Sequence, residues 1–339
     1  MKNQNKLKTI IKQVLGGAIT ALLLSAPALA DYSSHSGSEA FIKTMVEKHN
    51  FDRDWVVAVL KQAEPKQSIL DAMSRPAESV MTWGRYRKIF IQDDRVAQGA
   101  AFWREHRKTL ARAEQEYGVP ASMIVGIIGV ETRFGRNKGS YRVVDALATL
   151  GFDFPRRSTF FLGQLEEYML MVREQGFDPF GLKGSYAGAM GFGQFIPSSY
   201  RAYAVDFDGD GKIDIVNNPV DAIGSVANYF KRHGWRTGQP VVSGAVLKKN
   251  ADTSLFNTGL KPEKTVLQLS KAGIGSDRAL PPELKATAMK LDGDEGDEYW
   301  IGLKNFYVIT RYNHSAMYAM AAYQLSELIA AQVNGAPES

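Results

Sequence analysis

The stretch VGIIGVETRFGR, residues 125–136, decides the fold of this chain. It is an almost unbroken apolar run that ends in a single carboxylate, Glu131. A helix that is apolar on all sides is typically buried in the protein interior. Pro120 suits the first turn of such a helix, which we expect to continue to about Phe134. The sequence therefore predicts a buried central helix with one acidic group near its C-terminal end.

Glu131 is the strongest candidate for a catalytic group. Water is scarce at the end of a buried helix, which favours the neutral carboxyl group and predicts a raised pKa. An acid that is still protonated near neutral pH can protonate a leaving group, as glycosidase acids do. The alternative is a structural ion pair with Arg133 or Arg136, which would contribute little to stability.

The first thirty residues are predicted to be an export signal. Four lysines precede an apolar core at residues 14–24, and the small-residue motif at 28–30 would be cleaved before Asp31. The apolar core is too short for a comfortable membrane span, although an uncleaved anchor helix is the alternative. We expect the mature protein in the periplasm of a bacterial envelope.

Cysteine usage and charge exclude several classes of function. The 339 residues contain no cysteine, which rules out disulfides, a cysteine nucleophile, thiolate metal sites and a lipid-carrying cysteine. We therefore expect no membrane anchor after signal cleavage. Residues 1–30 hold four lysines and no acidic residue, so the formal charge of +5 falls to +1 without them. A nearly neutral chain gives no support for nucleic-acid binding.

A glycine-rich segment, residues 181–193, cannot form one regular helix and is predicted to be a loop or tight turn beside a cleft. A motif that suits ligand binding overlaps it at residues 184–198. Ser185 and Gln194 offer hydrogen bonds to a ligand. Flat aromatic faces are offered by Tyr186, Phe192 and Phe195. Sugars are bound by this mixture of apolar faces and polar groups. A packing loop between helices is the alternative.

The segment DFDGDGKID, residues 206–214, predicts a calcium site. It matches the start of an EF-hand loop, whose ligands come from positions 1, 3, 5 and 7. Those positions are Asp206, Asp208, Asp210 and Lys212. Position 12 is Asn217, which cannot be the bidentate glutamate, so we expect a longer loop closed by Asp221. Oxygen ligands argue against zinc. An Asp/Gly turn without an ion is the alternative.

In the C-terminal third of the chain, the hydrophobic pattern changes from helical to alternating. Weak alternation at residues 241–248, 285–291 and 299–309 predicts strands of a small β-rich lobe. The acidic run at 292–298 between the last two strands predicts a hairpin turn, which we expect to be a solvated loop rather than a metal site. Helical periodicity returns at residues 315–332.

Five motifs together resemble the lytic murein transglycosylase B family, which is glycoside hydrolase family 103. They lie at residues 118–136, 145–157, 181–199, 206–235 and 311–319, in the order that the family has them. The resemblance implies an α+β, mainly α fold. It implies a helical lobe (31–110, completed by 311–339), a lysozyme-like core with an EF-hand-like loop (111–238) and a small antiparallel β lobe (239–310). The calcium loop is one residue longer than the family form.

The resemblance also implies the site. The family's catalytic glutamate falls on Glu131. Positions similar to the substrate-binding residues of the family are Tyr86, Arg156, Arg157, Ser185, Gln194, Tyr229, Asn313 and Tyr318. The implied substrate is the glycan strand of peptidoglycan, cleaved at the β-1,4 bond between N-acetylmuramic acid and N-acetylglucosamine.

We find no strong second carboxylate, since Asp145 and Asp153 are predicted to be helix or turn residues. One acid is sufficient if the substrate's N-acetyl oxygen supplies the nucleophile and the C6 hydroxyl then closes a 1,6-anhydro ring. Two alternatives remain: a hydrolytic muramidase, and a noncatalytic calcium-dependent peptidoglycan-binding protein.

Overall fold

The computed structural model describes residues 31–74 and 81–335, so the predicted export signal lies outside the described part of the chain. In these two ranges, no helix has both the length and the apolar character needed to cross a bilayer. The described chain is mainly helical, with a five-stranded antiparallel sheet and a short two-stranded pairing, which confirms the predicted fold class.

Within residues 31–74 and 81–120, six α-helices precede the central one. They are α1 (Ser38–His49), α2 (Arg53–Gln62), α3 (Gln67–Met73), α4 (Trp83–Phe90), α5 (Asp93–Glu105) and α6 (Arg107–Tyr117). The middle of the chain follows, with α7 (Ala121–Thr132), β1 (Tyr141–Arg142), α8 (Val143–Asp153), α9 (Ser158–Gln175), β2 (Lys183–Gly184), α10 (Pro197–Tyr203) and α11 (Pro219–Arg232). The remainder holds β3 (Val242–Leu247), β4 (Lys264–Thr265), α12 (Val266–Lys271), β5 (Ile274–Ser276), β6 (Lys285–Gly293), β7 (Gly296–Gly302), α13 (Lys304–Tyr312) and α14 (Ala316–Gly335).

Helix α7 is the buried central helix that the sequence predicts. All of its residues are buried except Ser122 and Glu131. Pro120 stands just before its first residue, and the helix ends at Thr132, two residues earlier than expected. It ends there because Arg133 and Phe134 have φ values of 51° and 59°, in the left-handed region that closes a helix.

Helix α14 lies directly against α7. A Cβ added to Gly126 would lie 2.8 Å from the Ser326 Cβ and 2.9 Å from the Ala322 carbonyl oxygen. Only glycine lets the two helices approach this closely. One hydrophobic cluster runs through the predicted helical lobe and the predicted core, and it includes Phe41, Ile128 and Ile329. The domain boundaries given above remain predictions.

The sheet has five antiparallel strands in the order β4-β6-β7-β3-β5, with its own small core around Leu269 and Ile301. The predicted hairpin is present, since Gly293 pairs with Gly296 across a two-residue turn. The predicted strand at residues 299–309 is wrong beyond Gly302, because α13 begins at Lys304. Its buried Phe306 and Ile309 are three residues apart, which is a helical spacing.

The acidic turn of this hairpin is largely exposed, as expected from sequence, and it also forms ion pairs with helix α4. Lys88 Nζ lies 3.1 Å from Asp294 Oδ1, and Arg87 Nη1 lies 3.0 Å from Glu298 Oε1. A Cβ on Gly84 would lie 2.5 Å from Asp294 Oδ1, so glycine is needed for this approach. The turn fixes the sheet against the helical part of the chain.

Candidate active site

Glu131 is held by a tyrosine from the other end of the chain. It lies at the last turn of α7 and is half-buried. The hydroxyl group of Tyr318, on α14, donates a hydrogen bond of 2.5 Å to Glu131 Oε1. Burial and then the nearby Glu131 charge raise the pKa of Tyr318 well above its usual value. Tyr318 therefore keeps its proton and remains a donor to the carboxylate.

Arg133 does not form the structural ion pair that was the alternative role for Glu131. Its guanidinium binds Asp94 and donates to Gln98 Oε1 at 3.0 Å, because the left-handed turn after Thr132 points it away from α7. A second arginine, Arg95, donates at 3.3 Å to the Gly129 carbonyl in the last turn of α7. Two cations thus lie at the C-terminal end of this helix, where the helix dipole favours positive charge.

Thr132 connects the end of α7 to the glycine-rich loop. Its hydroxyl group donates to the Phe192 carbonyl oxygen at 2.9 Å and accepts from the Gly135 amide at 3.0 Å. The sequence analysis did not single out Thr132, and only its place next to Glu131 would have suggested it. These bonds fix the distance between the acid and the loop.

The glycine-rich loop starts from a two-residue pairing of β1 with β2, in which Tyr141 is opposite Gly184. A Cβ on Gly139 would lie 2.0 Å from the Gly184 carbonyl, and its φ is 91°, so this approach requires glycine. The segment that follows contains turns and isolated bridges rather than a helix, which confirms the predicted loop.

The polar side chains of the loop hold its own backbone. Ser185 Oγ accepts from the Ala189 amide at 3.1 Å, and Gln194 Nε2 donates to the Gly191 carbonyl at 3.0 Å. Of the three aromatic residues, Tyr186 is 42% exposed whereas Phe195 is buried. Their predicted contacts with substrate remain predictions.

Two further tyrosines, Tyr312 and Tyr86, interact electrostatically with the pair formed by Glu131 and Tyr318. Tyr312 donates to the Gly193 carbonyl at 2.6 Å, and burial and then the Glu131 charge raise its pKa, so it lies close to the acid. Sequence reasoning missed this residue, although it lies in the motif at 311–319. Tyr86, on α4, is buried, and it is the smallest contributor to the raised pKa of Tyr318, after burial, Glu131 and Tyr312.

Tyr229 has a structural contact. Its hydroxyl group donates at 2.5 Å to the Arg311 carbonyl, and its ring stacks on His233 at 4.0 Å between centroids. It therefore holds α11 to the end of α13.

Asn313 is half-buried between α13 and α14, next to Ser315, whose hydroxyl group accepts from the Tyr318 amide at 3.2 Å. That bond caps the start of α14.

The structure does not bring Arg156 and Arg157 into this group. Both are exposed just after the C-terminal end of α8, and the Arg157 guanidinium lies 4.6 Å from the Phe160 ring centroid.

The carboxylates of Asp145 and Asp153 accept hydrogen bonds from other parts of the fold. Asp145 accepts from Arg142 and from the Glu64 amide, at 2.8 and 2.9 Å, and Asp153 accepts from Tyr32 at 2.5 Å.

The predicted metal loop gathers three carboxylates. Asp206, Asp208 and Asp210 each offer an oxygen, and these oxygens lie within 4.8 Å of one another. Amide groups of the loop, first that of Gly211, donate to Asp206 and lower its pKa. Three ionised carboxylates so close together repel one another, and hard oxygen ligands suit calcium. The donor set therefore fits that ion.

Asp221 lies apart from these three oxygens. It is fully buried, and its two oxygens accept from the Phe207 amide at 2.7 Å and the Asp214 amide at 2.8 Å. Burial raises its pKa. It therefore joins the two ends of the loop to α11. The backbone amide of Lys212 donates a hydrogen bond of 2.8 Å to Asp210 Oδ1. Ligand roles for Asp221 and Lys212 remain predictions.

A half-buried acid held in position by a hydrogen bond can protonate the oxygen that leaves when a glycosidic bond is cleaved. Residues 33–327 match the model of the transglycosylase SLT domain, the SLT_2 family. The chain belongs to this family and is a lytic transglycosylase with a lysozyme-like fold, an enzyme that cleaves peptidoglycan.

Named relatives cover most of the chain. The membrane-bound lytic murein transglycosylase B of Escherichia coli (strain K12) is 48% identical over 309 residues, which are 88% of this chain and 84% of the relative. The catenated lytic transglycosylase SltB1 from Pseudomonas aeruginosa is 55% identical with a TM-score of 0.87, covering 89% of this chain and 100% of that one.

Two further structures contain ligands. Escherichia coli Slt35 in complex with calcium is 48% identical with a TM-score of 0.82, covering 90% of this chain and 96% of that one. Pseudomonas aeruginosa SltB3 in complex with NAG-anhNAM-pentapeptide is 31% identical with a TM-score of 0.77, covering 88% of this chain and 79% of that one.

Proposed function

We propose that Glu131 is the single acid and base of this transglycosylase, and that it cuts the β-1,4 bond between N-acetylmuramic acid and N-acetylglucosamine to give a 1,6-anhydro end. The observation that carries the proposal is the Tyr318–Glu131 hydrogen bond, which holds the carboxyl group in one orientation at the end of a buried helix. A fixed orientation is what a proton donor needs.

The first step breaks the glycosidic bond. Glu131 gives its proton to the glucosamine oxygen that leaves, while the muramic acid N-acetyl oxygen attacks C1 and forms an oxazolinium ring. The substrate supplies the nucleophile, so no second carboxylate is needed. This agrees with the structural bonds of Asp145 and Asp153 described above.

The second step closes the anhydro ring. Glu131, now a carboxylate, takes the proton of the C6 hydroxyl group, and that oxygen displaces the acetamido oxygen from C1. Glu131 is then protonated again and no water is consumed. The Tyr318 hydroxyl stabilises the carboxylate between the two steps.

The side chains that position the sugar form the walls of the site, and we assign to them Ser185, Gln194, Tyr86, Asn313 and Tyr229. We assign Arg156 and Arg157 to binding the acidic groups of the substrate.

The same proposal includes calcium at the loop of Asp206, Asp208 and Asp210, where a bound ion would neutralise the three carboxylates. The calcium complex of Slt35 supports it by likeness. The loop is fastened to α11 through Asp221 and to α9 through Gln175, which accepts from the Ile213 amide at 3.1 Å. The role of the bound calcium is therefore structural.

We further propose that the protein is exported to the periplasm.

The test is Glu131→Gln, which keeps the shape of the side chain and removes its proton. We expect release of soluble muropeptides from murein to fall at least about 1,000-fold, because general acid catalysis and leaving-group departure both depend on this group. A variant that releases anhydro-muropeptides at the parent rate would contradict the assignment. Circular dichroism confirms that the variant is folded.

The product of the parent enzyme separates the two enzymatic alternatives. A hydrolytic muramidase leaves a reducing end, which is one water heavier than an anhydro end. Mass spectrometry of the muropeptides is expected to show the lighter, anhydro product. A noncatalytic binding protein would sediment with murein and release no fragments, so the same measurement excludes it.

A further inference from the structure

A groove with a volume of about 510 Å³ lies where helices α1 and α2 meet the C-terminal end of α9, and we call it the α1–α9 groove. Asn50, Asp52 and Trp55 line it from the α1–α2 corner. Arg173 and Phe177 line it from α9 and the turn that follows. None of these residues belongs to the catalytic group described above, so the groove is a separate candidate site.

The borders of the groove are firmly held helix ends. Asn50 ends α1 with a φ of 54°, and Gly176 ends α9 with a φ of 67°, both in the left-handed region. Asp52 begins α2 by accepting a backbone amide of its first turn at 2.8 Å. Arg173 Nη1 donates to the His49 carbonyl at 2.7 Å and so joins α9 to α1. The groove is therefore preformed, which lowers the cost of ordering its walls when a ligand binds.

The accessible walls of the groove are flat rings. Trp55, Phe177 and Pro179 are half-buried and line it. Phe51 lies beneath Trp55, with 5.3 Å between ring centroids and 29° between ring planes. Among the described residues that line the groove, Val172 is the aliphatic one, and it is buried. Flat faces without flexible aliphatic side chains suit a sugar ring better than a lipid or an apolar peptide.

Polar groups border these rings. Asp52 has a second carboxylate oxygen beside the one that caps α2, and the Asn50 side chain is exposed. Both can bond to the hydroxyl or acetamido groups of a sugar. The exposed Arg173 guanidinium lies 4.0 Å from the Phe51 ring centroid and has no carboxylate partner within residues 31–74 and 81–335. Its charge complements a glycan whose muramic acid units bear carboxyl groups.

We propose that the α1–α9 groove is a second, noncatalytic binding site for the glycan strand of peptidoglycan, which places one N-acetylated sugar ring against Trp55 and Phe177. The proposal rests on the proposed function, because it takes the substrate to be that strand. A polymer held at one site has a raised effective concentration at the other. The groove therefore strengthens the binding of long strands and does not affect fragments too short to reach it.

The double variant Trp55→Leu/Phe177→Leu tests the groove, because it keeps an apolar side chain at both positions and removes both flat faces. Trp103→Leu is the matched control, since Trp103 is a half-buried tryptophan on α5. Binding to murein sacculi is measured by sedimentation on ice in the Glu131→Gln background. The kcat/KM of the otherwise unchanged enzyme is measured on the shortest soluble glycan fragment that it cleaves.

We expect the double variant to bind sacculi at least tenfold more weakly and to keep kcat/KM on the short fragment within about twofold of the parent. Trp103→Leu should match the parent in both measurements. Unchanged binding to sacculi would overturn the proposal. An equal loss in both measurements would also overturn it, because the rings would then serve the fold or the catalytic site.

The indole N–H resonance of Trp55 gives a direct readout, and its absence from the spectrum of Trp55→Leu identifies it. We expect this resonance to shift when soluble, peptide-free glycan strands are added to the Glu131→Gln enzyme, and an unmoved resonance would contradict the proposal. Failure of the proposed function is seen separately, as activity of Glu131→Gln on the short fragment, whatever the groove binds.

Discussion

At the residue scale, the chemistry depends on how Tyr318 and Glu131 share one hydrogen bond. Burial keeps the Tyr318 proton in place, so the hydroxyl donates to the carboxylate but does not take the proton from it. A donor of this kind stabilises the charge that Glu131 carries between the two steps of the reaction. It also limits the rotation of the carboxyl group, so that the acid does not need to be ordered in each turnover.

Tyr318→Phe tests this role. Removing one hydrogen bond to a charged group costs about 1.5–3 kcal/mol, which corresponds to a loss of about 10- to 100-fold in kcat/KM. Release of soluble muropeptides measures it, and an unchanged melting temperature excludes unfolding. Tyr323→Phe is the control, since it removes a hydroxyl from the same helix, and it should stay within about twofold of the parent. Parent activity in Tyr318→Phe would mean that the bond has no part in the reaction.

The sequence predicted Glu131 from local composition, because an apolar run with one acid is visible within twelve residues. It did not predict that Tyr318 contacts Glu131, since the two are 187 residues apart and no spacing relates them. The family resemblance brought Tyr318 into the site without its contact. Thr132 and Tyr312 were missed for the related reason that both act through backbone carbonyls of the loop, Phe192 and Gly193, which a sequence pattern does not mark.

At the scale of elements, the site depends on the contact between α7 and α14, which carry Glu131 and Tyr318. Gly126 allows this contact. A methyl group there would meet the Ala322 carbonyl oxygen at 2.9 Å, and backbone atoms cannot yield as a flexible side chain can.

Gly126→Ala is therefore expected to lower the free energy of unfolding by about 1–3 kcal/mol and to lower kcat, because it forces apart the helices that carry the acid and its tyrosine. Urea unfolding and muropeptide release measure the two effects. Gly163→Ala is the matched control in α9. A Cβ there meets nothing within 4 Å, so the change should stabilise the protein by about 0.5–1 kcal/mol. Stabilisation by Gly126→Ala would contradict the close contact.

Hydrophobic periodicity predicted the helices and strands correctly where a single helix or strand buries a continuous apolar face. Helix α7 is buried on all sides, and its sequence shows this directly. The pattern at residues 299–309 was ambiguous because a short strand and a short amphipathic helix follow each other there. Strand β7 ends at Gly302 and α13 begins at Lys304, so a single glycine is the local mark of that change.

At the scale of the whole molecule, charges that look solvated in sequence join parts that are distant in the chain. The acidic turn at residues 292–298 meets Arg87 and Lys88 of α4, and Arg142 meets Asp145 while its Nη2 donates to the Gln62 carbonyl at 3.0 Å. Sequence predicted the acidic run correctly as a turn. It could not predict the docking, since the basic partners lie about 200 residues earlier and nothing local links them.

The calcium loop has the same joining role, and removing the ion tests it. Asp221 and Gln175 tie the loop to α11 and α9, so an ion that holds its three carboxylates together stabilises the packing of both helices. An ion at 100 times its dissociation constant stabilises the native state by about 2.7 kcal/mol. We therefore expect EDTA to lower the melting temperature by several degrees, and added calcium to restore it.

Two variants separate this site from general effects of chelation. Asp208→Asn removes one carboxylate of the cluster, so its melting temperature should respond little to EDTA or calcium. Asp71→Asn changes an exposed carboxylate on α3, whose oxygen accepts from Gln67, and should respond as the parent does. Because the loop lies apart from Glu131 in every contact described, chelated enzyme should keep its kcat well below the melting transition. If the parent melts at the same temperature with and without EDTA, the aspartate cluster does not bind a stabilising ion, and the bonds to Asp221 and Gln175 hold the loop without one.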